Sequence, residues 1–361
     1  MNLKKKDFFL NETQSILNLT SYLWPKAKDK RFLFTGCTGF FGIWLIKAFI
    51  EADKKYKLNC KIYILTRNKK IKKSLFYKKI NSRKLNFIFK DILNFQNLNL
   101  KKIDYIVHGA TTSALETYRK QSYKLKYSII VDGTKKILKF AKKIKCSNFF
   151  YMSSGAVYGY SKNFKKFRED KKIFNKYQIS KKENDITILG KAKLKAERMV
   201  IRAFKNTNCN FIIARFFSFL GPFMPLQIHY AISNFLKNLA YRENIILSSS
   251  GASIRSYMYI KDCIVWLIIL MFQSNKKLCN IYNVGSDKQI SILSLAKKIL
   301  KLKKNSSKII VDKKNKNFNY YVPDISKFKN NFKIPKNINL DKALKKTLFH
   351  ISNNPKDYFI K

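Results

Sequence analysis

Residues Phe32-Leu-Phe-Thr-Gly-Cys-Thr-Gly-Phe-Phe-Gly42 constrain the fold more than any other stretch, because a short apolar run passes into a helix through glycines at 36, 39 and 42. Gly36 permits a sharp turn out of a strand, Gly39 lets backbone approach a pyrophosphate, and Gly42 lets the new helix pack closely on the sheet. A phosphate placed there meets free amides at a helix N-terminus, where the helix dipole also favours negative charge. Thr38, Phe40 and Phe41 complete the turn and join the glycines as candidate contacts to a dinucleotide. The apolar continuation Ile43-Trp-Leu-Ile-Lys-Ala-Phe-Ile50 supplies the helix.

Further strands are expected at Lys61–Leu65, Asn86–Lys90, Asp104–His108, Asn148–Met152 and Asn210–Ala214. Apolar residues at helical spacing run from Ser122 to Lys145 and from Lys191 to Phe204. Strands alternating with helices imply a parallel sheet covered on both faces, with a ligand beyond the carboxyl ends of the strands. The fold class is therefore α/β, a Rossmann-type doubly wound parallel sheet. Beyond Arg215 the texture turns irregular and rich in Phe, Pro and Ser, with helices at roughly 229–240, 261–272 and 291–302 and a polar loop at 303–320. This second part reads as a smaller C-terminal substrate-binding domain.

The formal charge of +54 raises nucleic acid as a partner. The lysines, however, are spread along almost the whole chain, and no zinc-knuckle or RNA-binding aromatic motif accompanies them, so no nucleic-acid role is expected. The six cysteines are dispersed, with no CxxC pair and no metal-ligand spacing, which points to thiols in a reducing compartment and to no metal. No secretory signal is legible after Lys4–Lys6, and the strongest apolar run, Cys263–Phe272, is about half the length a bilayer demands. A cytoplasmic protein without membrane insertion is expected.

Three more segments align behind the glycine turn: Ser153-Ser-Gly-Ala-Val-Tyr-Gly159 after the fifth strand, Gly190-Lys-Ala-Lys-Leu-Lys-Ala-Glu197 on the next helix, and Arg215-Phe-Phe-Ser-Phe-Leu-Gly-Pro222 after the sixth strand. With Asn283-Val-Gly-Ser286, Ser291-Ile292 and Tyr321-Val-Pro-Asp324, the chain from about Phe32 to Leu348 resembles the extended short-chain dehydrogenase/reductase family, in its NAD-dependent epimerase/dehydratase branch of nucleotide-sugar enzymes. The resemblance implies an N-terminal helical extension over residues 1–30, a dinucleotide-binding domain over 31–216, and a substrate-binding domain over 217–350. It also implies a strand near 281–284 returning to the Rossmann sheet, a tail at 351–361, and a homodimer built on the helices around 122–145 and 191–204.

In that family a Ser/Thr and a Tyr manage the hydroxyl proton while hydride passes between the sugar and a nicotinamide ring, and a Lys four residues after the Tyr holds the ribose. Ser154 falls on the Ser/Thr position and Lys193 on the Lys position, which puts Leu189 where the Tyr belongs. A leucine neither donates nor accepts a proton, and loss of a positioned acid/base group typically costs about 10² to 10⁴ in rate. Tyr177-Gln-Ile-Ser-Lys181 also spells YxxxK, but Glu183-Asn-Asp-Ile-Thr interrupts the helix that would follow, whereas the helix carrying Lys193 runs cleanly into the sixth strand. Tyr177 or Tyr158 could still reach the sugar from a loop.

Family dehydratases follow the Ser/Thr with an Asp-Glu pair and decarboxylases with a Glu; Gly155-Ala156 stands here. Without those carboxylates, water elimination lacks its acid and base, which favours 4-epimerase or 4-ketoreductase chemistry; the resemblance implies a place in surface-polysaccharide or O-antigen precursor synthesis. The alternatives are a nucleotide-sugar 4,6-dehydratase and a catalytically impaired binding protein. The cofactor is NAD or NADP. At the end of the second strand Thr66 replaces the ribose-binding carboxylate and Arg67 follows, a guanidinium suited to a 2′-phosphate. Asp91 and Ile92 resemble the adenine contacts, and Gly109 and Ala110 the loop beside the nicotinamide ribose, with His108 a packed loop residue. Arg255 falls where family members hold the nucleotide diphosphate, His229 could touch the sugar, and Asp262 is expected to cap a helix starting at Cys263.

Overall fold

The computed structural model describes residues 7–80, 82–95, 98, 100–112, 122–159, 161, 165–170, 185–226, 230–274, 280–303, 306–312 and 318–358. Strands β1 (Arg31–Thr35), β2 (Lys61–Thr66), β3 (Leu85–Phe89), β4 (Tyr105–His108), β5 (Asn148–Ser154), β6 (Asn210–Phe216) and β7 (Ile281–Val284) form one seven-stranded sheet. Its order is β3-β2-β1-β4-β5-β6-β7, and every pairing is parallel. The order reverses between β1 and β4, which opens a crevice at their carboxyl ends.

Alternation along the strands divides the core in two. Phe32, Phe34, Phe150, Met152, Ile212 and Ala214 face one apolar cluster, while Leu33, Phe149, Tyr151, Phe211 and Ile213 face the other. The first cluster is closed by α2 (Phe40–Tyr56) and the second by α4 (Tyr123–Lys143) and α5 (Asp185–Phe204), α3 (Leu75–Ile80) being a short helix between β2 and β3. A sheet buried on both faces needs near-continuous apolar strands, which these are.

The N-terminal helix α1 (Asp7–Leu19) and the turn after it join the first cluster through Ile16, Leu17, Leu23 and Trp24. Trp24 meets Phe49 edge-on at 5.2 Å, so this extension is fastened to α2 rather than trailing from it.

After β6 come α6 (Ala231–Ala240), α7 (Ile260–Gln273), α8 (Ile292–Leu300), α9 (Ser326–Asn331) and α10 (Leu340–Asn353). Helix α7 is apolar nearly all round and buried from Ile260 to Phe272, a core helix. Among the described residues no helix is long and apolar enough to cross a membrane.

Four sequence-based expectations need correction. Asp262 does not cap α7, which starts at Ile260; its carboxylate instead accepts from the Ile338 amide at 2.9 Å. Residues 303–320 are not simply a loop, since Ile309–Val311 pairs in parallel with Ile245–Leu247. His108 is the last residue of β4, where the expected strand Asp104–His108 also ends, rather than the packed loop residue expected beside Gly109 and Ala110. Helix α5 begins at Asp185, before the expected start at Lys191, so Leu189 and Lys193 share one helix a turn apart.

Candidate active site

The glycine turn closes on its neighbours in three different ways. Gly36 has φ +70° and packs so tightly that a Cβ there would lie 2.4 Å from the Ala110 nitrogen. A Cβ on Gly42 would stand 1.8 Å from the Cys37 carbonyl oxygen, so the first turn of α2 rests directly on the loop. A Cβ on Gly39 would meet nothing within 4 Å. Gly39 is also the N-cap residue of α2 and carries no side-chain acceptor. The first-turn amides of α2 thus look out over a space that only a glycine leaves open, which is the shape and polarity a pyrophosphate requires. Thr38, Phe40 and Phe41 lie on this turn, with Phe41 packed edge-on against Phe219 at 5.2 Å.

The other strand ends converge on the same crevice. Gly109 donates its amide to the Thr35 carbonyl at 2.9 Å, and a Cβ on it would press on the Met152 sulfur at 2.8 Å. Lys193 is buried and donates to the Met152 carbonyl at 2.7 Å, with its ammonium 4.8 Å from the Tyr151 ring centre. Burial pulls the Lys193 pKa down to about 8, against the opposing pull of the Glu197 carboxylate. His108 is held neutral, pushed down to about 3 by burial and then by the Lys193 charge. Its Nδ1 contacts Thr35 Oγ1 at 2.6 Å and its Nε2 contacts Thr134 Oγ1 at 3.0 Å. Thr134 donates onward to the Ile130 carbonyl, so Nε2 carries the proton and His108 acts as a fixed bolt between β1, β4 and α4.

Ser154 ends β5, half-buried, and its Oγ accepts from the Ala156 amide at 3.1 Å. Leu189 is half-buried and packs on the second core cluster. Below them lies a buried polar network that sequence reading did not identify. Arg215 grips Glu197 with two bonds, Nε to Oε1 at 3.0 Å and Nη2 to Oε2 at 2.7 Å. Ser153 donates to Glu197 at 2.5 Å, and Arg215 Nη1 donates to Tyr158 Oη at 2.9 Å. Tyr158 in turn donates to Asn283 Oδ1 at 2.8 Å, and burial raises its hydroxyl pKa despite the Arg215 charge. The network joins α5, β5, β6 and β7, and it takes the Tyr158 hydroxyl away from any substrate.

Of the remaining expected residues, Arg67 is exposed just past the buried Thr66. Asp91 Oδ1 accepts from the Leu93 amide at 2.8 Å, and Ile92 sits against Gly133 of α4. Arg255 lies on a short strand, Ile254–Ser256, with Nη1 donating to the Ile254 and Asn319 carbonyls at 2.8 Å. Its guanidinium stands 5.9 Å from the Tyr321 ring centre. The Tyr321 hydroxyl reaches back to the Ser154–Gly155 turn: a Cβ on Gly155 would lie 2.5 Å from it and 2.9 Å from the Phe217 ring. Tyr177 and His229 lie outside the described residues.

Comparison with known proteins places the chain. A dTDP-D-glucose 4,6-dehydratase of Dictyostelium discoideum is 30% identical over 291 residues, spanning 76% of this chain and 62% of that protein, less than two thirds of its length. A UDP-N-acetyl-alpha-D-glucosaminuronate decarboxylase of Bacillus cytotoxicus is 26% identical, over 88% of this chain and 97% of that one. The solved UDP-glucuronic acid 4-epimerase from Bacillus cereus, in complex with UDP-glucuronic acid and NAD, shares the fold with a TM-score of 0.71 at 21% identity, covering 90% of this chain and 99% of that chain. The profile of the NAD dependent epimerase/dehydratase family matches residues 32–285. With the dinucleotide cradle and the parallel sheet that carries it, the chain belongs to the NAD dependent epimerase/dehydratase family.

Proposed function

We propose that the protein is an NAD(P)-dependent nucleotide-sugar 4-epimerase or 4-ketoreductase that serves surface-polysaccharide or O-antigen precursor synthesis. The observation that carries the reading is the space at Gly155. A Cβ there would lie 2.5 Å from the Tyr321 hydroxyl and 2.9 Å from the Phe217 ring, so a carboxylate at 155 would need both side chains to shift, and neither Gly155 nor Ala156 brings to the turn the acid that elimination needs. The relatives' names support membership in nucleotide-sugar chemistry, and the 4,6-dehydratase name of the Dictyostelium protein is the main support for a dehydratase reading.

In this account Gly36, Gly39 and Gly42 with the start of α2 bind the pyrophosphate, Asp91 and Ile92 flank the adenine, and Gly109, Ala110 and Lys193 hold the nicotinamide ribose. The bound dinucleotide supplies reversible hydride acceptance. Ser154 hydrogen-bonds the reacting sugar oxygen, and Arg255 faces the nucleotide diphosphate once its backbone partners are exchanged for phosphate oxygens. Arg67 favours NADP through a forked contact to the 2′-phosphate. The protein works in the cytoplasm as a homodimer through α4 and α5, where Tyr123 and Leu125 are exposed.

Leu189 favours a second reading, a protein that binds cofactor and sugar nucleotide without turnover. Turnover of UDP-glucuronic acid, UDP-N-acetylglucosamine and dTDP-glucose by protein loaded with NAD or NADP, together with reduction of a 4-keto nucleotide sugar by NADH or NADPH, separates the two, with Leu189→Tyr assayed in parallel. Activity in the wild type supports the enzyme. Activity only in the variant supports the binding protein.

A further inference from the structure

Away from the crevice, the C-terminal part turns an apolar pair outward. Strands Ile245–Leu247 and Ile309–Val311 form a two-stranded parallel ribbon whose register sets Ile246 opposite Ile310. Register partners point to one side of a sheet, and alternation sends their neighbours to the other. Ile245 and Leu247 are accordingly buried, whereas Ile246 is 61% exposed and Ile310 50% exposed. The ribbon is firmly framed: Asn244 Oδ1 accepts from the Lys308 amide at 2.9 Å, and Asn238 of α6 donates to the Asn244 carbonyl at 2.8 Å. A groove of about 630 Å³ beside the pair is lined by Arg242 and Glu243 as well. Lys308 is exposed and stands two residues before Ile310, on the same side of its strand. The sequence from 301 to 316 carries seven lysines and one acidic residue, Asp312.

We propose that this ribbon face seats the protein on the surface of an anionic phospholipid bilayer, with Ile246 and Ile310 at the boundary of headgroups and acyl chains and with Lys308, Arg242 and the neighbouring lysines over lipid phosphates. It uses none of the residues assigned to the dinucleotide or the sugar. The net charge of +54 attracts the chain to an anionic surface from a distance. Two isoleucines offer far less than the roughly 800 Å² per partner that a stable protein interface buries. A bilayer demands less, because apolar insertion and attraction to anionic lipid add together. A single-stranded nucleic acid stacks its bases on aromatic or guanidinium planes, and an isoleucine pair presents no such plane. The contact lies on the membrane without crossing it and is reversible.

Sedimentation of the full chain with vesicles tests this, comparing pure phosphatidylcholine with phosphatidylcholine that contains phosphatidylglycerol. The wild type should bind only the second kind, and less as salt rises. A chain of this charge would adsorb through any face, so the deciding variant changes no charge. Ile246→Ser with Ile310→Ser should lower partitioning by about tenfold or more, at a melting temperature close to wild type, while Leu10→Ser, at an exposed position on α1, should leave it unchanged. Lys308→Gln should lower it about fivefold, the equivalent of the ~1 kcal/mol that one cation near the surface contributes. Ile246→Trp should shift its emission to the blue on binding, a signal read against Trp24, Trp44 and Trp266, which are buried. Equal binding by the wild type and the double isoleucine variant, or no binding to phosphatidylglycerol vesicles, overturns the proposal. Tighter binding to single-stranded RNA that the same double variant abolishes also overturns it and makes this face a nucleic-acid site.

Discussion

The Lys193 ammonium donates to the Met152 carbonyl at 2.7 Å, so α5 delivers a buried cation to the carboxyl end of β5, next to Gly109. Its charged form is disfavoured there: the folded-state pKa is about 8, against an ordinary 10.5. Between those values the unfolded chain holds more protons, so stability from this group rises with pH, and below about 8 the full cost of a buried charge is present. Lys193→Met should therefore melt above the wild type at pH 7, with the two melting temperatures converging above the ordinary lysine pKa, while dinucleotide binding by calorimetry weakens. A variant that melts lower at pH 7 would show that the ammonium stabilises the fold.

Gly39 and Gly42 make opposite demands. Gly42→Ala drives a methyl into the Cys37 backbone and should destabilise the protein by about 1–3 kcal/mol or more, as overpacking does. Gly39→Ala adds a methyl to open space and should leave stability within about 0.5 kcal/mol. Because that space is where the pyrophosphate is proposed to lie, Gly39→Ala should still lose dinucleotide affinity. Urea melts paired with calorimetry read both effects.

Glu197 is buried at 1% exposure and bound by Arg215 on both carboxylate oxygens. Glu197→Ala strands the Arg215 cation in the core, which typically costs about 3–5 kcal/mol. Replacing Arg215 as well, as Glu197→Leu with Arg215→Met, should recover much of that loss. The double-mutant comparison by urea unfolding checks it.

Two described histidines should make the protein acid-labile. Burial lowers His350 to about 4 and His108 to about 3. Both are neutral in folded and unfolded chains at pH 7, and as pH falls below the ordinary 6.5 the unfolded chain takes up protons first, so stability declines. The slope is about 1.4 kcal/mol per pH unit for each histidine until its folded pKa is reached. His350 Nδ1 meets Tyr358 Oη at 2.7 Å, and Tyr358 accepts the Phe223 amide at 3.2 Å, so its protonation disturbs the anchorage of the C-terminal segment. His350→Gln should flatten the stability-versus-pH curve between pH 6.5 and 4, measured by thermal melts.

Six strands of the parallel sheet were legible because each is an apolar run bounded by polar residues, the seventh, Ile281–Val284, came only with the family resemblance, and the turn was legible because three glycines carry its geometry. The ribbon of Ile245–Leu247 with Ile309–Val311 was not, since three residues with an exposed centre, Ile246 and Ile310, leave no periodicity to read. The early start of α5 was hidden by the polar stretch Glu183-Asn-Asp-Ile-Thr187, which shows no helical periodicity, although Thr187 is buried in the helix. Ser154 and Lys193 could be placed from local motifs. The Tyr321 hydroxyl against Gly155, and the Glu197–Arg215–Tyr158–Asn283 chain, join residues far apart in sequence, and no local pattern announces such contacts.

The central claim is C4 hydride chemistry without elimination. The most direct test incubates the NAD- or NADP-loaded protein with UDP-glucuronic acid, UDP-N-acetylglucosamine and dTDP-glucose in deuterated water and reads each product by mass spectrometry and NMR. The account predicts a C4 epimer of unchanged mass, or, where a 4-keto nucleotide sugar and NADH or NADPH are supplied instead, its reduction, with the C5 hydrogen retained. A product that has lost one water and carries deuterium from solvent at C5 would contradict it.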